Sequence, residues 1–132
     1  MSIYPVNKFK SSIHPGISIN SSSPTIIWND SEVDGTNSYA LVTSIICSNK
    51  GAVPRKYSLI LEKNTSTGTN QAYVLYDVLI PANTAFEVIQ GNKFILKDGD
   101  RLKAYSDAAS GSTAGIIDTT ISWVTHIPPS TP

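Results

Sequence analysis

Charge, sulfur and long apolar runs are what this chain has little of. Only 15% of its 132 residues are charged, and ten Lys and Arg against ten Asp and Glu leave no formal net charge. Nucleic acid and anionic membranes are bound through clustered Lys and Arg, so neither is expected as a partner. Near-zero charge also gives little repulsion between molecules, which suits a subunit of an assembly. The single cysteine, Cys47, excludes an internal disulfide. It lies in the apolar run LVTSIIC, where a small buried hydrophobe is the expected role. No stretch approaches the ~20 apolar residues of a membrane helix. The opening MSIYPVNKFK lacks a continuous apolar segment of the secretory kind, so synthesis and folding in a cytoplasm are expected.

Helical periodicity is scarce as well, and what is present is the pattern of strands. Residues 25–30 (TIIWND), 39–49 (YALVTSIICSN) and 55–64 (RKYSLILEKN) are short β-branched or alternating runs bounded by Pro, Gly, Asn and Asp. The second is the longest apolar stretch and is expected to be a central strand. In the third, Tyr57, Leu59 and Leu61 are expected on the buried face, with Lys56, Ser58, Ile60 and Glu62 opposite. Residues 71–107 read as four consecutive strands of a meander, with Tyr73, Leu75, Asp77, Ile95, Leu96, Leu102, Ala104 and Tyr105 directed to the core. Their turns fall at Pro81-Ala82-Asn83, Gln90-Gly91-Asn92 and 97–100 (KDGD). Near the end, residues 115–127 are expected to form a final strand with Ile117, Thr119, Ile121 and Trp123, or their alternates, facing inward. The prediction is an all-β, antiparallel β-sandwich, jelly-roll-like, of eight or nine strands, occupying residues 25–127. Residues 1–24 are rich in Ser, Asn and Pro and are expected to form an extended arm, mobile or pinned on a neighbouring surface. Tyr4, Val6, Phe9 and Ile13 are its candidate contacts. The Pro-rich tail 128–132 cannot pair in a sheet.

Chemical motifs are few. Asp30, Glu32, Asp34 and Gly35 match the acidic spacing that opens a calcium loop, but Leu41 stands where a bidentate Glu is required. No metal or cofactor is expected, and these acids serve instead as candidate interface residues. Asp98-Gly99-Asp100 suits a turn. His14 and His126 lie far apart in sequence, and no G-x-S-x-G motif is present, so a non-enzymatic protein is expected. Trp28, Trp123, Tyr39, Tyr57, Tyr73, Tyr76 and Tyr105 could form a sugar-stacking platform, although packing explains such residues more often.

From residue 40 to 124 the succession of motifs resembles small structural proteins of tailed bacteriophages, notably those of marine cyanobacteria. Those proteins have a strand ending in S-N or T-N, here Ser48-Asn49, followed by a polar strand. Next come a P-A hairpin, here 78–87, and a hairpin with G-D at its turn, here 92–102. An I-D-x-T-I-S strand, here 117–122, closes the set. The chain departs from the group in its THIPPSTP ending and its longer 29–38 loop. The resemblance implies a non-enzymatic virion component: a decoration or cement subunit of the capsid, or a piece of the neck, tail or fibre. Its partners would be major capsid, neck or tail proteins and further copies of itself, trimers in particular. A carbohydrate-binding or host-adhesion module of a phage fibre is the alternative. The arm and the loops 29–38 and 64–70 would make the intersubunit contacts.

Overall fold

The computed structural model describes residues 6–29, 38–65, 68–89, 94–107 and 115–129, and these contain nine strands and no helix. In chain order they are β1 (Val6–His14), β2 (Thr25–Asn29), β3 (Tyr39–Asn49), β4 (Arg55–Thr65) and β5 (Gly68–Ile80). They continue with β6 (Thr84–Glu87), β7 (Phe94–Leu96), β8 (Arg101–Ser106) and β9 (Ile117–Ile127). Their ends carry the residues that positive φ or a fixed φ demands. Asn83, at φ 55, turns the chain after Pro81, and Gly99, at φ 87, turns it between β7 and β8.

The pairing is nested. β4 pairs with β5, β3 with β6 and β7, β2 with β8, and β1 with β9, every pair antiparallel. That is one long double ribbon, folded at its tip between β4 and β5. Rolling the ribbon up adds two further ladders, β3 with β9 and β4 with β8. Two sheets result, ordered β1-β9-β3-β6 and β2-β8-β4-β5, which we call A and B. β7 completes sheet A, because β6 pairs with residues 46–49 of β3 and β7 with residues 40–42. With β6 and β7 sharing one position, this is the eight-position order of a jelly-roll sandwich.

The core lies between the two layers. Ile45, Ile121 and Ile117 from sheet A meet Trp28, Leu59 and Leu102 from sheet B, all 2% exposed or less. Tyr57 is fully buried, and its hydroxyl lies 3.2 Å from the Thr119 hydroxyl across the sandwich. Burial pushes its phenol above the ordinary value, an effect that the Thr119 hydrogen bond partly offsets. Cys47, also buried, is pushed up to about 12 by desolvation. An unfolded chain would ionise this thiol first, so the folded state binds the extra proton. The stability linked to it is therefore intact below 9.0 and lost as pH rises from 9.0 toward about 12. We expect Cys47 to resist thiol reagents in the native protein at neutral pH. Chemical denaturation across that alkaline window should show a smaller stability loss in Cys47→Val than in the natural chain.

Two loops are clamped by buried polar groups. Asn49, 2% exposed, donates from Nδ2 to the carbonyls of Val53 (2.9 Å) and Ile80 (3.1 Å), while its Oδ1 accepts from the Gly51 amide (2.9 Å). Asp100, 3% exposed, accepts from the Lys97 amide (2.8 Å) and from Lys63 Nζ (2.7 Å), which fixes the turn before β8 to β4. Asp98-Gly99-Asp100 is thus a turn stapled by its own carboxylate. A third tight place is the crossing of Gly16 and Gly115. There the Ile17 amide donates to the Ile117 carbonyl (2.9 Å) and the Gly16 amide to Asp118 Oδ1 (2.8 Å).

Several expectations change. Residues 6–14, read as part of an arm, are the edge strand β1, paired residue by residue along β9. The four strands of 71–107 do not pair with one another: β5 and β8 belong to sheet B, while β6 and β7 belong to sheet A. The apparent meander is a chain passing back and forth between layers. Of the expected loop 64–70, the described residues Asn64, Thr65 and Gly68 to Asn70 continue the β4–β5 ladder. Ser58, Ile60 and Glu62 of β4, expected opposite the buried face, are 9% exposed or less, with Ser58 bonded to Asp77 and Glu62 paired with Lys103. Tyr73 and Ile95, expected in the core, are 47% and 50% exposed, and Asp77 is exposed as well.

Candidate functional site

Edges and faces are the surfaces that a sandwich can offer a partner, and the edges here are guarded. β2 and β6 have five and four residues and β7 has three, too short to template a new strand. β5 is long but broken by two bulges opposite β4. β1 is long and regular, yet Lys8 and Lys10 stand in register with Thr125 and Trp123, on the core side of the sheet. Inward-pointing charges on an edge strand oppose strand addition.

The faces differ from each other. Outward residues of sheet B include Glu62 and Lys103, paired at 2.7 Å, with Tyr105, Tyr73 and Ser58 around them. On sheet A, alternation sends the buried residues of β9, namely Ile117, Thr119, Ile121, Trp123 and Thr125, inward, and their neighbours outward. The register then defines outward rows across the strands. Phe9, Val124, Leu41 and Ile95 form one apolar row. Ser11, Ser122 and Ser44 form the next, and Ile13, Thr120, Ile46 and Glu87 the one after. Phe9 is 83% and Ile13 71% exposed, a large apolar exposure for two side chains of one strand. Within these rows Glu87 is the one charged residue, and it sits at the border. An ion pair, Lys50–Asp118 at 3.0 Å, marks the far rim. An open groove of about 280 Å³ is lined by Phe9, Lys10, Ser11, Thr43, Ser122 and Trp123, residues of both phases of the sheet beside the β3 bulge. Thr43 sits at a bulge in β3 and donates to the Ser122 carbonyl at 3.1 Å.

Phe9 and Ile13, proposed from sequence as contact residues, therefore stand together on this face. Val6 begins β1, half-buried opposite Ile127. Tyr4, Asp30, Glu32 and Asp34 lie outside the described residues, as does the Gln90-Gly91-Asn92 turn. Sequence reading missed Leu41, Ile46, Val124 and Ile95. The available signal was that both phases of β3 are apolar, which means one of them must face away from the core.

A second cluster lies on sheet B. The two bulges of β5 and the left-handed Asp77 (φ 50), whose amide donates to Ser58 Oγ at 3.0 Å, re-aim the strand. Tyr73 and Tyr76 meet edge to face at 4.8 Å, and the Tyr73 hydroxyl lies 3.2 Å from that of Tyr105. That hydrogen bond holds the Tyr73 phenol above its usual value. Of the other aromatic candidates, Trp28, Trp123 and Tyr57 are core, and Tyr39 packs on His126 at 4.9 Å. His126 Nδ1 and Asn7 Oδ1 are 2.8 Å apart, whereas His14 lies beside Ser12 at the other end of the β1–β9 ladder, so the two imidazoles are not brought together. Among the described residues no three His, Cys, Asp or Glu side chains gather as a metal site would require.

No protein-family model and no curated protein matches the chain. Among solved structures it is similar to a chain in the structure of infectious bursal disease virus, Gx strain, with a TM-score of 0.50 and 9% identity. The similarity covers 98% of this chain and 38% of that one. At that identity what is shared is the fold: a β-sandwich that also occurs in a viral structure.

Proposed function

We propose that the chain is a non-enzymatic structural subunit of a virus particle that works through protein–protein contacts. The observation that carries this reading is the outer face of sheet A, where exposed Phe9, Ile13, Ile46 and Ile95 stand in rows nearly free of charge. Apolar surface of that extent is favourable only when covered. The fold shared with a chain of a virus structure and the phage-like motif order support the same reading. The motif order alone favours the finer reading, a tailed-phage capsid decoration, neck, tail or fibre subunit, made in the host cytoplasm and carried in the virion. The test is purification of particles from a host expressing the full chain. It should copurify at fixed stoichiometry, and Phe9→Lys/Ile13→Lys should lower incorporation at least tenfold without lowering soluble expression. Equal incorporation would remove the face from the contact.

One observation favours a second reading, adhesion to glycans. The Tyr73–Tyr76 pair offers exposed rings on a bulged strand, and pyranose C–H groups stack on such rings. A glycan-array hit lost in Tyr76→Ala would support it.

A further inference from the structure

We infer that Tyr73, Tyr76 and Asp77, on the outer face of sheet B, form a site for one terminal pyranose, and that the sugar it takes is neutral, not acidic. The inference rests on the glycan-adhesion reading and names the ligand class and the polar residue of that site. The first observation is where β5 breaks its alternation. In a regular strand residues 73, 75 and 77 share one face and residues 74, 76 and 78 the other. Here the two bulges turn Val74 and Leu75 together toward the core and leave Tyr76 and Asp77 together in solvent. Tyr73, Tyr76 and Asp77 thus stand on one face, which an unbroken strand would not allow.

The second observation is that the arrangement is held. Asp77 takes a left-handed φ of 50, and Ser58, 1% exposed on β4, fixes it there. The Asp77 amide donates to Ser58 Oγ at 3.0 Å, and the same hydroxyl donates to Asp77 Oδ1 at 3.3 Å. The Tyr73 hydroxyl reaches across β4 to that of the buried Tyr105, at 3.2 Å, while Tyr76 stays 63% exposed. Strained backbone kept in place by its surroundings is concentrated at ligand sites.

The third is the chemistry these groups offer. The two rings stand at 79° with centroids 4.8 Å apart, so they make a notch and not a flat platform. A platform suits an extended chain of sugars, whereas a notch takes one unit, its C–H face on one ring and its rim against the other. Asp77 Oδ2 has no hydrogen bond among the described residues, and a carboxylate oxygen accepts strongly from sugar hydroxyls. The same charge repels a uronic acid or a sialic acid. Lys103, on the same face, is already engaged by Glu62 at 2.7 Å.

Saturation-transfer NMR of the full chain with a panel of methyl pyranosides tests this. The gluco, galacto, manno and N-acetylglucosamine forms are set against methyl glucuronide and galacturonide. At least one neutral pyranoside should bind, with a dissociation constant of about 1 mM for a ligand of that size. Tyr76→Ala should abolish the transfer, and Phe9→Lys/Ile13→Lys, on the opposite sheet, should leave it unchanged. Asp77→Asn, which tolerates the left-handed backbone, should weaken the neutral sugar at least threefold and bring the matching uronide closer to it in affinity. Silence from every neutral pyranoside, transfer that survives Tyr76→Ala, or a uronide binding as tightly as its neutral parent would each overturn the inference. Transfer to tetramethylammonium in place of the sugars would assign the notch to a cation and overturn it too. A glycan array decides adhesion separately: acidic or chain-internal glycans bound through Tyr76 would sink the neutral terminal sugar and leave adhesion standing.

Discussion

Gly115→Ala is expected to destabilise the fold by about 3 kcal/mol or more, lowering the thermal midpoint by roughly 10 °C. The reason is the crossing with Gly16. A Cβ at residue 115 would overlap the Ile17 carbonyl oxygen and the Gly16 carbonyl group, and one at residue 16 would meet the Gly115 carbonyl oxygen at 2.9 Å. Both obstacles are backbone, and the Ile17–Ile117 hydrogen bond holds the two segments together, so neither can move aside cheaply. Gly16 carries the extra demand of φ +56. Urea unfolding of Gly115→Ala, Gly16→Ala and the double variant provides the measurement. The double variant should lose much less than the sum of the singles, because one displaced crossing relieves both clashes. A loss below about 0.5 kcal/mol in Gly115→Ala would show that the segments separate freely.

Asn49→Ala should cost about 3 kcal/mol, because three hydrogen bonds disappear at a position 2% exposed and the Ile80 carbonyl is left buried without its donor. Asn49→Asp should fare no better, since a carboxylate would face two carbonyl oxygens. Ser48→Ala, one residue earlier and half-buried, should stay within about 0.5 kcal/mol. Equilibrium denaturation of the three variants checks the order. The pattern gives a physical meaning to the S-N strand ending noticed in the sequence: the Asn holds the β3–β4 turn against the end of β5.

How far the structure was legible can be judged from particular strands. β9 was readable as a strand with one buried face, and the structure selects the phase of Ile117, Thr119, Ile121 and Trp123 over its alternate. β1 was not. After Val6 its core-side positions, Lys8, Lys10, Ser12 and His14, are polar, and Phe9 and Ile13 point outward, the reverse of the pattern from which a strand is recognised. Its pairing with β9 is set by the rolled ribbon, which no local window contains. The same absence of long-range information turned β5 to β8 into a meander on paper. Tyr73 was misplaced for a local reason: the bulges opposite Leu59 and Ile60 change which side of β5 each residue occupies. Of the candidate site, Phe9 and Ile13 were legible as apolar residues in a polar setting. Their neighbours on the face come from β3, β7 and β9 and become neighbours only through the register.

The nested ribbon also dictates a timetable. Its innermost ladder, β4 with β5, joins neighbours in sequence, whereas its outermost, β1 with β9, joins Val6 to Ile127. Loop-closure entropy makes the inner hairpin the cheap starting point and leaves the outer pair for last. On a ribosome, β1 emerges roughly a hundred residues before the strand it must find. During that wait the segment is unpaired, with Phe9 and Ile13 open to solvent, and like charge at Lys8 and Lys10 opposes its pairing with other copies. The two charges that guard the edge of the finished sandwich thus serve the unfinished one as well.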